Sequence, residues 1–238
     1  MPKWLGDLSE RTFKQSYKAV TVAEVEYYAK NFKRIRFQGE ALCSIPWQAA
    51  QEVEFRVSDT EYRHYTPCCW NVEQGYADVL FYLHGQGPGS LWADALTVGS
   101  ALNLIGPGGK FVLPSRSHSV VMLGDETTLS AFKGMKEVIG SNAQKTCVLE
   151  MEFDALMWAK TVGLEALVLQ AIAGQRGAVL EFWLQEFVQN NPAASVTDYL
   201  LSGNAQTIAK LYKILRAAKV PSKNIYAKPY WAEGKVGL

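Results

Sequence analysis

Up to about residue 105 the apolar positions fall in short runs that alternate with polar ones, broken by polar or glycine-containing turns. Runs at residues 18–28, 34–38, 52–57, 62–66, 77–83 and 101–105 predict six strands, and a series of short strands with frequent turns points to an antiparallel barrel. After Gly106, Pro107, Gly108 and Gly109 the pattern changes. Strand candidates at 119–123, 146–151, 166–171, 197–201 and 224–228 alternate with segments of helical period, the arrangement of a parallel α/β sheet. Leu129, Phe132, Met135 and Ile139 share a helix face behind Asp125, a residue type suited to capping. Ile208, Leu211, Tyr212 and Leu215 form a second such stripe, and both stripes are read as core. The expected organisation is an all-β domain over residues 1–108 followed by an α/β domain over 109–238. Within the first segment, Trp4 and Phe13 suggest a docked stretch of chain rather than a tail.

Composition narrows the function classes. The 238 residues carry a formal net charge of +1, which gives no global support to a nucleic-acid or membrane-surface partner, so any basic site must be local. No signal-peptide pattern and no apolar run of membrane-spanning length is present, and the expectation is a cytoplasmic protein, read as a monomer. Cys43, Cys68, Cys69 and Cys147 include no Cys-x-x-Cys pair, and His64, His84 and His118 lack ligand spacing. A metal held by the protein itself is therefore not expected.

The candidate chemistry lies in three segments. Residues 82–93 read as an apolar strand that turns through Gly85, Gly87 and Gly89 into a helix start at Ser90. Glycines let backbone N–H groups approach an anion closely, and a helix N-terminus adds partial positive charge, so this is a phosphate cradle or an ordinary turn. About twenty residues upstream stand Arg63, His64, Tyr65, Thr66 and Pro67. On a strand Arg63 and Tyr65 project from one face, able to meet an anionic aromatic ligand, unless this is only an edge strand ended by proline. Gly124, Asp125, Glu126, Thr127 and Thr128 follow a predicted parallel strand and open a helix. Their N–H groups and hydroxyls suit a nucleotide's phosphates, or else simply cap the helix.

Taken together these segments resemble the siderophore-interacting protein family, a branch of the ferredoxin-reductase-like flavoenzymes. Residues 63–67 look like its flavin-binding Arg-x-Tyr-Thr, 83–93 its second flavin motif, 106–109 its end-of-barrel turn and 124–131 its nicotinamide-side Gly-Asp-Glu-Thr segment. Tyr230, Trp231, Ala232, Glu233, Gly234 and Lys235 resemble its aromatic C-terminal signature. The matches keep the family's order over nearly the whole chain.

The resemblance implies an FAD-binding six-stranded β-barrel and a Rossmann-like domain for NADPH or NADH. Arg63 would pair with the flavin's phosphates, Tyr65 would pack on the isoalloxazine, and Thr66 would hydrogen-bond near N5, with Pro67 also among the cofactor-binding residues. His84, Gly85, Gly87, Gly89 and Ser90 would hold the pyrophosphate, with Trp92 as a packing residue at the helix start, while Tyr230 and Trp231 would close over the cofactor site or else form a buried aromatic pair. His84 alternatively reads as a satisfied core histidine. Electrons would pass from the nicotinamide through flavin to a ferric siderophore, which needs no acid, base or nucleophile from the protein. Lys33, Arg34, Arg36, Lys110, Arg116, Lys228 and Lys235 are the docking candidates for an anionic siderophore, each with a solvated surface charge as its plain alternative. Two departures stand out. Cys68 replaces an arginine common in the family, and Asn204 stands where a glutamate is usual after Gly203. A general flavin-dependent reductase and a siderophore-binding module without redox function are the competing classes.

Overall fold

The computed structural model describes residues 17–109, 118–140 and 142–235; the expectation for Trp4 and Phe13 lies outside them. The chain divides into two compact units, Met1–Lys110 and Phe111–Leu238.

In the first unit, β1 (Tyr17–Ala29), β2 (Phe32–Gln38), β3 (Glu52–Arg56), β4 (Tyr62–Tyr65), β5 (Cys69–Asn71), β6 (Tyr76–Tyr82) and β7 (Ala101–Gly108) form one antiparallel sheet in the order β4-β3-β7-β1-β2-β6-β5. The count is seven rather than six. The extra strand, β5, pairs over only three residues with β6, too short for alternation to announce it. Among the described residues β4 and β5 end the order without pairing, so the sheet is not a closed barrel. Residues 106–109 also differ from the expected turn. β7 continues to Gly108, and its register against β3 jumps from Ile105↔Glu54 to Gly108↔Glu52, a bulge. Gly106 has φ +105° there, and a β-carbon on it would lie 2.9 Å from the Glu52 carbonyl oxygen.

Alternation decides which side chains enter this core. Ile35 and Phe37 of β2 point inward, where Phe37 packs at 4.7 Å on Phe55 and 6.3 Å on Phe81 between ring centroids. Each such side chain contributes on the order of 2 kcal/mol by leaving water. Lys33 shares their parity, and this corrects its assignment to siderophore docking. It is 0% exposed, and its ammonium donates to the Tyr27 hydroxyl and the Asp94 carbonyl, both at 3.1 Å. Arg34 and Arg36 point the other way, but they too are corrected. Arg34 pairs with Glu24, Glu26 and Asp78, and Arg36 with Glu24 and Asp78 while lying 4.0 Å over the Tyr76 ring. Register sets this network, because Glu24 and Asp78 both lie opposite Arg36 on neighbouring strands.

The second unit is a parallel sheet of β8 (Ser119–Gly124), β9 (Gln144–Met151), β10 (Leu167–Gln170), β11 (Asp198–Asn204) and β12 (Ile225–Trp231), ordered β10-β9-β8-β11-β12. All five expected strands are present. Between them run α2 (Leu129–Val138), α3 (Trp158–Thr161), α4 (Ala178–Asn190) and α5 (Ala205–Ala217); α1 belongs to the first unit and spans Pro88–Ala95. Val120, Val121, Met122 and Leu123 are all fully buried, as a strand covered on both faces requires. Both predicted stripes are core: Leu129, Phe132, Met135 and Ile139 are buried, as are Ile208, Leu211 and Leu215, with Tyr212 at the margin.

The ends of three of these strands converge on one carboxylate. Asp125, just past β8, accepts from Thr127 N at 2.9 Å, Asn204 N at 2.8 Å and Trp231 Nε1 at 2.9 Å. Gly203 has φ +102°, and a β-carbon on it would strike the Asp125 carboxylate. Gly203→Ala should therefore destabilise the α/β unit by about 3 kcal/mol, from strain and lost hydrogen bonds combined, seen as a lower urea midpoint in far-UV circular dichroism.

Candidate functional site

In the antiparallel unit, β4 brings Arg63 and Tyr65 to one face, and both meet Gly89 near the start of α1. A β-carbon on Gly89 would lie 2.7 Å from the Tyr65 hydroxyl and 3.2 Å from Cγ of Arg63. Tyr65 is wedged among Phe81 at 4.9 Å, Trp92 at 5.8 Å and Phe55 at 6.3 Å between centroids, and burial pushes its phenol well above the usual range. Trp92 has the packing role expected of it, also touching Phe55 at 5.1 Å. Arg63 is held by the Tyr62 carbonyl at 2.8 Å and Glu61 at 2.9 Å. These two contacts leave further guanidinium donors for an anion.

The loop before α1 is open where the strand face is close. Gly85 and Gly87 have φ +74° and +77°, and a β-carbon on either would meet nothing within 4 Å. Gly85 N donates to Ser90 Oγ at 3.0 Å, which ties the loop to the helix. The helix begins at Pro88, two residues before the expected start, because a proline's fixed φ suits the first helical position. No side chain caps Gly87. His84 is exposed, not a core histidine; its Nδ1 accepts from Gln86 N at 3.3 Å, and partial desolvation lowers its pKa. Thr66 and Pro67 are buried, and so is Cys68, whose thiol donates to the Asp78 carbonyl at 3.3 Å. The position where the resemblance implied an arginine thus supplies no surface cation here. A cation, an uncapped helix start and two open glycines fit the charged diphosphate of FAD.

In the α/β unit the turn after β8 departs from expectation. Thr127 gives both its N–H and its hydroxyl to the Asp125 carboxylate, while Thr128 gives both of its own to the Asp125 carbonyl. These donors are spent inside the turn, which corrects the reading of Thr127 and Thr128 as phosphate ligands. Gly124 is small for packing, since a β-carbon there would press into Thr128 and Phe132. Trp231 is tied to Asp125 through its indole N–H. Of the remaining docking candidates, Lys228 is half-buried with its carbonyl accepting from Ser202, Lys235 is exposed, and Lys110 and Arg116 lie outside the described residues.

Beside the turn is a constellation that sequence reasoning did not find. Glu126 is buried, accepts from Glu152 N at 2.6 Å, and pairs with Arg176 at 3.2 Å. Arg176 also pairs with Glu152 at 3.1 Å and lies 5.7 Å over the Trp231 ring. Glu150, buried on β9, accepts from Gly177 N at 2.6 Å at the start of α4. The only signal for Arg176 was its place in a glycine-flanked stretch before a helix. Burial, and then the Asp125 charge, raise Glu126 to about 7, with Arg176 opposing the rise. Below the unfolded value of about 4.5 the protonated form favours the folded state, and this advantage is lost as pH rises through about 7. Relative to Glu126→Gln, which cannot titrate, the wild type should lose up to about 3 kcal/mol between pH 4.5 and 7.5, measured by paired urea denaturation curves.

Comparison with known proteins agrees with the motif reading. Residues 46–111 match the model of the siderophore-interacting FAD-binding domain. The chain is 28% identical over 203 residues to the ferric vibriobactin reductase ViuB of Vibrio cholerae, covering 83% of this chain and 74% of that protein. Among solved structures it is similar to the siderophore-interacting protein SipS of Aeromonas hydrophila, with a TM-score of 0.77 at 20% identity over 92% of this chain and 93% of that one. It is also similar to phthalate dioxygenase reductase, with a TM-score of 0.74 at 15% identity over 94% of this chain and 71% of that one. Among the described residues no helix is long and apolar enough to cross a membrane. The resemblance read from the motifs is thus supported on two counts: residues 46–111 match the siderophore-interacting FAD-binding domain, and the fold is similar to those of SipS and phthalate dioxygenase reductase.

Proposed function

We propose that this protein is an FAD-dependent reductase that passes electrons from a pyridine nucleotide to siderophore-bound Fe(III). The antiparallel unit takes the flavin and the α/β unit takes the nucleotide. The observation that carries the reading is the convergence of Arg63 and Tyr65 on Gly89 beside the open glycines of the α1 loop, inside the segment that matches the FAD-binding domain. Arg63 and the start of α1 counter the diphosphate's charge, with His84 and Ser90 at the loop. Tyr65, backed by Trp92, Phe55 and Phe81, is a rigid wall for the ring system, since its packing leaves it no freedom to lose on binding. Bound FAD supplies the chemistry the side chains lack, accepting two electrons together and releasing them singly. The nucleotide lies beyond the carboxyl ends of the parallel strands, where open α/β sheets take their ligands.

One NAD(P)H then reduces two ferric ions and releases one proton. Hard oxygen donors hold Fe(II) less firmly than Fe(III), so the metal leaves its carrier. A nucleotide donor and four cysteines outside any disulfide suit a reducing, cytoplasmic setting. A broader acceptor range is the second reading, favoured by one observation: Lys33, Arg34 and Arg36 are engaged by internal partners and offer no docking patch for an anionic complex. Comparing turnover of a ferric catecholate, a ferric hydroxamate and a simple dye separates the two.

Purified protein should be yellow. Its absorbance near 450 nm should bleach on anaerobic addition of NAD(P)H and return on addition of ferric siderophore; a colourless protein that takes up no FAD would refute the reading. Arg63→Ala should weaken FAD binding about 30-fold, the worth of a charge-assisted contact, with the circular dichroism spectrum unchanged. Fluorescence titration of the apoprotein with FAD measures the loss.

A further inference from the structure

Resting on the proposal that the α/β unit takes a pyridine nucleotide, we infer that it selects the form without a 2′-phosphate, NADH over NADPH, and that Glu152 makes the choice. The strand order β10-β9-β8-β11-β12 is 3-2-1-4-5 in chain order within the unit, so the sequence of strands reverses between β8 and β11. In sheets wound this way the nucleotide crosses the carboxyl ends at that reversal. An acidic residue near the second strand accepts from the ribose 2′-hydroxyl, whereas an arginine there accommodates a 2′-phosphate. The second strand is β9, and the residue that follows its last, Met151, is Glu152. Its side chain is 48% exposed, so the carboxylate is within reach of a ligand.

The neighbouring cation does not offset it. β10 ends at Gln170 and is followed by Ala171 and Ile172, none of them basic. Arg176 is the guanidinium at this corner, and it is already shared between Glu126 at 3.2 Å and Glu152 at 3.1 Å, with its face toward the Trp231 ring. Turning it to a phosphate would break its contacts with both Glu126, whose side chain is only 1% exposed, and Glu152, and a buried acid that loses its partner is left unsatisfied. Among the described residues Asp125, Glu150 and Glu152 add further carboxylates around this guanidinium. A phosphate dianion placed here meets net negative charge, while a ribose hydroxyl meets an acceptor.

The test uses binding, so that it does not depend on turnover. Purified full-length protein is titrated calorimetrically with ADP-ribose and with its 2′-phosphorylated counterpart, neither of which can reduce a flavin. ADP-ribose should bind at least tenfold more tightly, and Glu152→Gln, which keeps an acceptor but removes the charge, should bring the two within about threefold by strengthening the phosphorylated ligand, the tenfold being about one charge interaction of 1.4 kcal/mol. Equal or tighter binding of the 2′-phosphorylated ligand to the wild type overturns the inference and leaves the proposed function standing. If neither ligand binds to protein that retains FAD, the assignment of the nucleotide to the α/β unit fails, and this inference fails with it.

Discussion

The buried carboxylate of Asp125 is the interaction on which the candidate chemistry of the α/β unit depends. It stands at the reversal of strand order, where such folds leave a crevice, and it accepts hydrogen bonds from the turn after β8, from the end of β11 and from the indole at the end of β12. A charged group out of water must be paired or hydrogen-bonded on most of its lone pairs, and here the required donors come from three separate strand ends. That requirement accounts for the neighbouring residues. Gly203 is small because the carboxylate lies against it, and Asn204 gives its N–H to Asp125 while its side chain caps α5 through Thr207 N at 2.8 Å. Asparagine suits this position, since it is among the best helix-capping residues.

The antiparallel unit solves a different problem. A flat, rigid ligand needs a wall that does not move and a charged tail needs backbone that can come close. Tyr65 is fixed by three aromatic neighbours, whereas Gly85 and Gly87 present bare backbone in a conformation that side chains disfavour. Gly89 joins the two requirements, because only the absence of a side chain lets α1 approach the strand face that carries Arg63 and Tyr65.

Charge is used internally throughout. Near neutrality of the whole chain conceals a surface network on β1, β2 and β6, a fully buried lysine, and a guanidinium held between two carboxylates. Arg34 and Arg36 share Asp78, whose side chain is only 8% exposed, and their geometry is held from both sides by register. The same pairing removes them from any role in attracting an anionic partner.

The sequence by itself determined both fold halves, all five parallel strands, the two buried helix stripes and the shared strand face of Arg63 and Tyr65. These are properties of local period and turn chemistry, and a side chain's face follows from its parity. The burial of Lys33 escapes that reading although it keeps step with Ile35 and Phe37, because the strand is expected to begin only at residue 34. What only the tertiary structure decided was how each charged or donor group is satisfied. Asp125 and Trp231 are 106 residues apart, and Arg176 and Glu126 are 50 apart. Periodicity holds no record of such distances: a polar residue's partner is chosen by which strand ends the topology brings together, and until that is known an arginine reads the same whether it faces water, a phosphate or a buried carboxylate.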